Sequence, residues 1–338
     1  MTRISLRPMA APAFAQDGVR PVNLRTDLRP LADLIELVFA ESMDSSGRSA
    51  IREMRYLSSL GYGLKLIARL NELALGISLG FVYVLDGKLV GNVSVYPASY
   101  PSGMGETWIL ANVGVHPDYQ RRGIAGELMR ASLEMIRRRG AARVILQVNY
   151  DNDAALRLYE RAGFVYERAW RVWRRSGFLR APVPGDWGLQ VSRLRQRDWQ
   201  AEYALAQAAR PNSRGGLGWL KPVHRAAFSP SVLRRLGSLV ALNSVEKLVV
   251  RDQAAGSILA SCWIEGALSF GNVRAWLFAD PAIDRHPHAA ALLEGLVSRY
   301  DRSTILFEHP RDDEVVTGLL KTCRFTITRD LWHLRLDL

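Results

Sequence analysis

The sequence predicts an α/β (α+β) protein built as two tandem lobes. Helix-period and strand-period segments alternate through both halves of the 338-residue chain. The order of those segments in the first half also recurs in the second, after a Pro/Gly-containing stretch, SGFLRAPVPGDW (176–187). The expected organisation is a tail at 1–20, a first domain at 21–175, a linker at 176–187 and a second domain at 188–338.

In the first half, LADLIELVFAESM (31–43) and the stretch from about 49 to 73 have helical spacing. FVYVLDGKLVGNVSVYP (81–97) holds two strand-like runs around Asp86-Gly87, a hairpin signal. WILANVGV (108–115) is a third strand, AGELMRASLEMIRRRG (125–140) a helix stopped by Gly140, and RVILQVNY (143–150) the next strand. DNDAALRLYERAG (151–163) is a short helix and FVYERAWRVW (164–173) a further strand. In the second half, WQAEYALAQAA (199–209) is helical and KLVVRDQAAGSILASCWIEG (247–266) is again a hairpin. VRAWLFADP (273–281) stands where ILANVGVHP stood, HAAALLEGLVSRY (288–300) where the long helix stood, and TILFEHP (304–310) where the strand at 143–150 stood. EVVTGLLKTCRFTITRDLWHLRL (314–336) parallels the helix–strand pair that closes the first half. Side-chain identity is low while order and spacing match, so an internal duplication is the economical explanation.

Composition bounds the partners. Apolar residues make up 48% and charged ones 23%, a soluble globular balance without a membrane-length apolar run. The first residues lack the continuous apolar stretch of a signal peptide, and Cys262 and Cys323 lie far apart without metal-ligand spacing. A cytoplasmic protein with two buried thiols and no metal is expected. The net charge of +12 is carried almost wholly by arginines spread along the chain. Their densest cluster, RAWRVWRR (168–175), is a strand whose faces the sequence does not assign. A solvated arginine-rich surface accounts for this charge, and nucleic acid is not an expected partner.

The chemistry concentrates in VGVHPDYQRRGIAGELM (113–129). A strand runs into a proline turn and then into Gly123, Ala125 and Gly126 as a helix begins, with Arg121 and Arg122 alongside. A helix start offers unpaired N–H groups and a partial positive charge, and small residues let an anion approach them. The GxxxxGK[ST] phosphate loop is absent, as is GxGxxG after the first strand. The run Gln120–Ala125 suits a pyrophosphate.

Together with Asn152, Ala155, Leu158-Tyr159 and Gly163-Phe164, this pattern resembles the GNAT (GCN5-related N-acetyltransferase) superfamily. The motifs span about 55 residues, and the flanking elements extend the likeness across about 21–175. The resemblance implies that each lobe is a mixed, mostly antiparallel twisted sheet flanked by helices. It implies acetyl-CoA as co-substrate, entering where the strands at 108–115 and 143–150 splay apart. Val113, Gly114 and Val115 would line the pantetheine arm, and Gln120, Arg121, Arg122, Gly123, Ile124, Ala125 and Gly126 would cradle the pyrophosphate. Asn152, Ala155 and Tyr159 would complete the cofactor site. The family commonly uses a tyrosine at the position of Tyr159 as the acid that protonates the departing thiolate. A core role is the alternative, since Leu156, Tyr159 and Ala162 share helical spacing.

The base is less legible. Relatives place a Glu or His at positions matching Ile109 and Ala111, and the branch that acetylates ribosomal-protein termini has a Glu at the position of Gln147. None of these three can titrate. Glu106 is taken as the candidate base, acting through water, with Glu41 and Asp44 as further carboxylates. An amine arriving already deprotonated needs no base.

The second half lacks the loop glycine and carries Asp284 and Pro287 there, with Leu320 near the tyrosine position and Cys323 in place of the glycine. His286 and His288 flank Pro287 without a third metal ligand at sensible spacing. The second lobe is expected to keep the fold without the cofactor site. The expected activity is transfer of acetyl from acetyl-CoA to a primary amine of a small molecule or peptide, by a monomer or homodimer. A non-catalytic acyl-CoA-binding or regulatory protein is the alternative, and a nucleic-acid-associated basic protein a further one.

Overall fold

The protein is described by a computed structural model covering residues 17–41, 43, 45–59, 79–101, 104–183, 185–230, 243–267 and 272–338. The chain forms two compact units: residues 1–146, 154–165 and 335–338 make the first, and 147–153 with 166–334 the second.

The first unit holds β1 (Gly18–Pro21), β2 (Phe81–Leu85), β3 (Lys88–Pro97), β4 (Thr107–Val115) and the start of β5 (Arg143–Asn149, which enters the second unit at Gln147), in that spatial order. The first three pairings are antiparallel, and β4 and β5 are parallel. A parallel neighbour requires a crossover, here α3 (Ile124–Arg138). The β2–β3 turn places Asp86 and Gly87 at φ 52° and 67°, the left-handed pair that matches strand twist in a two-residue hairpin. β1 falls partly within the stretch read as a tail, because Gly18–Pro21 pairs with β2. α1 (Leu28–Phe39) buries Leu28, Leu31, Ala32, Leu34 and Ile35 at helical spacing. α2 (Ser45–Ser59) adds Ile51, Met54 and Leu57 to the same core. The rest of the helix expected to about residue 73 lies outside the described residues, as does most of the expected tail.

Two glycines set how closely the helices approach. A Cβ at Gly91 on β3 would sit 2.9 Å from Ile124 and 3.0 Å from Leu128 of α3. One at Gly114 would sit 3.2 Å from Val38 and 3.3 Å from Phe39 at the end of α1. α4 (Asp153–Arg161) follows β5 and buries Leu156 and Tyr159.

The second unit repeats the plan with β7 (Val191–Arg193), α5 (Trp199–Ala209), β8 (Asn243–Arg251), β9 (Ile258–Ala267) and β10 (Asn272–Ala279). α6 (Arg285–Arg299), β11 (Thr304–Pro310), α7 (Glu314–Thr322) and β12 (Thr326–Asp337) follow. The antiparallel run β7-β8-β9-β10 meets β11 in a parallel pairing. Here the strand after α4, β6 (Val165–Arg175), departs from a simple two-domain division: it pairs antiparallel with β11 and lies between β11 and β12. Residues 166–175 therefore pack in the second unit. Conversely, residues 335–338 pack in the first, where Asp337 pairs with Arg143 and the Leu338 N–H donates to the Ala142 carbonyl.

β6 also settles the faces of RAWRVWRR. Trp170 and Trp173 are buried, Arg168 pairs with Asp312 and Arg171 with Asp330. Arg175 is fully buried and donates to the carbonyls of Cys323, Leu179 and Arg180, which fixes the start of the linker. Much of this cluster's charge is spent on internal partners. Cys262 and Cys323 are buried and free, and burial pushes both thiols up, Cys323 to about 11.

Candidate active site

β4 and β5 are paired only at Thr107–Ile109 with Arg143–Ile145, and β4 runs on to Val115 without further pairing to β5. Among the described residues, that leaves one edge of β4 without a neighbouring strand from Leu110 onward. Within this stretch the register against β3 slips: Ser94 faces Ala111 but Asn92 faces Gly114, so β4 holds one extra residue. The extra residue makes a bulge at Asn112-Val113, with Asn112 at φ 51°. Asparagine tolerates this left-handed geometry better than the branched residues around it. The bulge is held from β3: the Asn92 side-chain amide donates to the Asn112 carbonyl at 2.7 Å, and Asn112 donates to Ser94 Oγ at 3.2 Å. A bulge re-aims the backbone of Val113 at the point where β4 loses its neighbour.

Beyond β4, the His116 N–H donates to the Val90 carbonyl and Pro117–Tyr119 form a tight turn. Gln120 is extended and its side chain donates back to the Val115 carbonyl at 3.2 Å. Arg121 and Gly123 both adopt positive φ, 61° and 84°. α3 then begins at Ile124, and its first intrahelical bond runs from the Glu127 N–H to the Gly123 carbonyl at 3.1 Å. The N–H groups of Ile124, Ala125 and Gly126 have no intrahelical acceptor, and no side chain caps the helix. A Cβ built on Gly123 or Gly126 meets nothing within 4 Å, so no neighbouring group crowds the chain at either glycine. Consecutive amides turned inward by left-handed residues at a helix start form an anion-binding nest. Arg122 lies over the Tyr119 ring at 5.2 Å, while Arg121 is exposed. The residues present therefore fit a phosphate-bearing ligand whose extended arm lies along the open edge of β4.

Residues 58–164, which include all of this, match the Acetyltransferase (GNAT) family. This segment is a GNAT domain. A mycothiol acetyltransferase of Corynebacterium aurimucosum is 42% identical over 72 residues, which is 21% of this chain and only 23% of that relative's length. Among solved structures, a GCN5-related N-acetyltransferase from Sphaerobacter thermophilus aligns with TM-score 0.57 at 18% identity, covering 94% of this chain and 95% of that one. A tandem GNAT protein from the clavulanic acid biosynthesis pathway aligns with TM-score 0.50 at 12% identity, covering 95% and 98%. These structures establish the tandem GNAT fold.

The remaining GNAT positions are distributed as follows. Tyr159 is buried on α4, edge-on to Phe164 at 6.0 Å between ring centroids. Burial pushes its hydroxyl up to about 12, so it keeps its proton throughout the working range. Asn152 is exposed immediately before α4, its N–H bonded to the Asn149 carbonyl, and Ala155 is half-buried in the helix. Glu106 is not brought to the unpaired stretch. It is exposed at the closed end of β4, accepts from Trp108 Nε1 at 3.0 Å, and lies seven residues from Val113. At about 3.3 Å per residue the chain between them spans at most about 23 Å, shortened by the bulge. Glu41 is exposed, and Asp44 lies outside the described residues.

Gln147 has a partner that sequence spacing could not reveal. Its side-chain amide meets Nε2 of His333, on β12, at 2.8 Å. His333 is buried, stacked on Trp170 at 5.5 Å and edge-on to Trp219 at 5.1 Å. Burial, with Arg329 adding, pushes its ring down to about 3, so it is neutral and too weakly basic to take a proton from an ammonium group. His309 is likewise pushed down to about 4, by burial and then by Arg210. Both histidines titrate near 6.5 once unfolded. Their contribution to stability is therefore complete above about pH 6.5 and falls as the pH drops towards the folded values, by up to roughly 1.4 kcal/mol per pH unit for each ring. Urea unfolding at pH 7 and pH 5 is expected to show a smaller acid loss in His333→Gln than in the wild type.

Among the described residues, no group of three His, Cys, Asp or Glu side chains could hold a metal ion, and no helix is long and apolar enough to cross a membrane.

Proposed function

We propose that the first lobe is an N-acetyltransferase that moves acetyl from acetyl-CoA to a primary amine of a small molecule or peptide, by direct attack in a ternary complex. The observation that carries this reading is the coincidence, inside the GNAT segment, of a bulged β4 whose β5-side edge opens after Ile109 with the amide nest at 120–126. When bound, acetyl-CoA supplies an acyl carbon activated as a thioester. The backbone of Val113 and Val115 would hold the pantetheine amides, and the nest would hold the phosphates. Asn152 and Ala155 would bind the arm. Tyr159, protonated across the working range, would give its proton to the departing sulfur, and the proton released by the attacking nitrogen would return through solvent to restore it.

Ile109, Ala111 and Gln147 cannot titrate, and His333 beside Gln147 is held neutral. In this reading the amine arrives deprotonated from solution. The test is the pH dependence of kcat/KM with several amines of different pKa, following CoA release. Rates are expected to rise about tenfold per pH unit and level off at each amine's own pKa. An inflection at one pH for every amine would reveal a base in the enzyme and contradict this account.

That none of Ile109, Ala111, Gln147 and His333 can act as a base favours, as a second reading, a non-catalytic acyl-CoA-binding protein. No CoA release with any amine, alongside intact acetyl-CoA binding, would support it. A nucleic-acid role draws little from the arginine cluster, much of which is internally paired.

A further inference from the structure

The second unit contains a cavity of about 370 Å³ that the acetyl-transfer reading does not use. Its lining includes Leu277, Ala279, Pro281, Arg285 and Ala289, which stand 164 positions after Val113, Val115, Pro117, Arg121 and Ala125. Asp313 and Val316 stand 161 positions after Asn152 and Ala155. The cavity is thus the second copy's counterpart of the cofactor cleft. It opens for the same reason: β10 and β11 pair only through Ala275 and Phe307, after which β10 continues to Ala279 unpaired with β11.

Three changes make this cleft different from the first. β10 keeps an unbroken register with β9 from Val273 to Ala279, without a bulge. Arg210 at the end of α5, almost fully buried, donates to the carbonyl of Leu277, the counterpart of Val113, at 2.9 Å. It also reaches the His309 ring at 3.2 Å, which bonds Asp313 at 3.1 Å. The inner cleft is therefore occupied by a continuous hydrogen-bonded chain from the Leu277 carbonyl through Arg210 and His309 to Asp313. Finally, the start of α6 has no open nest. Asp284 caps it by accepting from the His286 N–H at 3.0 Å, and Pro287 has no N–H to offer.

The cavity outside this plug has guanidinium walls. Arg168, Arg210, Arg214 and Arg285 line it against only two carboxylates, Asp312 and Asp313. Arg168 and Arg214 share Asp312, each at 2.8 Å, while Arg285 bonds Asp313 at 3.0 Å. A guanidinium has five N–H donors, so this sharing leaves donors unused around an accessible space. With His309 neutral, the lining carries two positive charges beyond its own carboxylates.

We propose that the second-lobe cleft binds a compact phosphate dianion, free or as a small monoester, in place of a coenzyme A. Arg168, Arg214 and Arg285 grip its oxygens by paired N–H donors, and Arg210 sets the depth by closing the channel an extended arm would need.

The test is calorimetric titration of sodium phosphate into the full chain without acetyl-CoA, at about pH 7.5 and about 0.15 M salt, where phosphate is mainly dianionic. Acetate serves as the monoanion control and phenyl phosphate as the monoester. One phosphate site per chain is expected, at least about tenfold tighter than acetate. Arg214→Gln, at an exposed residue whose loss leaves Asp312 paired with Arg168, is expected to weaken phosphate about tenfold, and Arg285→Gln similarly. Phenyl phosphate binding at the same site would identify a monoester pocket, and phosphate binding without it a pocket for the free ion. Absence of saturable binding, or equal binding in both variants, would overturn the proposal, the latter indicating diffuse attraction to a basic surface. A second acetyl-CoA per chain, lost in Arg285→Gln, would overturn it too. Because acetyl-CoA is absent from the phosphate titration, its failure leaves the first-lobe reading untouched.

Discussion

Tyr159→Phe is expected to lower turnover by about a thousandfold while leaving acetyl-CoA affinity within about twofold, because positioned acid catalysis contributes roughly 10²–10⁴ in rate. The substitution keeps the ring that packs edge-on to Phe164 and removes only the hydroxyl, so the α4 contact survives. CoA release measured beside a binding titration separates the two effects. Loss of affinity equal to the loss of rate would make Tyr159 a structural residue of the cofactor site. Unchanged turnover would remove it from the chemistry.

Gly123→Val is expected to weaken acetyl-CoA binding by at least about thirtyfold. Gly123 sits at φ 84°, where a β-branched residue is strongly disfavoured. Relaxing that strain turns the amides at the start of α3 away from the phosphates, and each charge-assisted hydrogen bond lost is worth about 1.5–3 kcal/mol. The folded chain should tolerate the change, since a Cβ there meets nothing within 4 Å and the loop is exposed. The expected fall in Tm is only a few degrees, from a strain of about 1–2 kcal/mol. Circular dichroism melting and the binding titration read the two effects independently.

The contrast between Gly123 and Asn112 shows what a sequence discloses about such a site. Local rules with strong chemistry were legible: the Asp86-Gly87 hairpin, the helix Trp199–Ala209 and the strand Thr304–Pro310 lie where the pattern puts them. The helix start at Ile124, with its small residues Gly123, Ala125 and Gly126, is likewise legible. The bulge at Asn112 did not, because one extra residue in an apolar strand leaves periodicity nearly intact, and its anchors, Asn92 and Ser94, lie on another strand. β6 was legible as a strand but its partner β11 was not, since pairing between segments more than a hundred residues apart depends on tertiary packing. The same limit hid His333 beside Gln147, and Arg210 inside the second cleft. The position of Glu106 also depends on pairing: it lies just before the end of β4 that β5 covers, not beside the open edge.

The most direct measurement is calorimetric titration of acetyl-CoA into the full chain, reading both affinity and sites per chain. One site, lost or greatly weakened in Gly123→Val, is the predicted result, since the first lobe has the open nest and the second has Arg210 across its cleft. Absence of saturable binding would contradict an acetyl-CoA-dependent first lobe. Two sites of similar affinity would contradict the division of labour between the two copies.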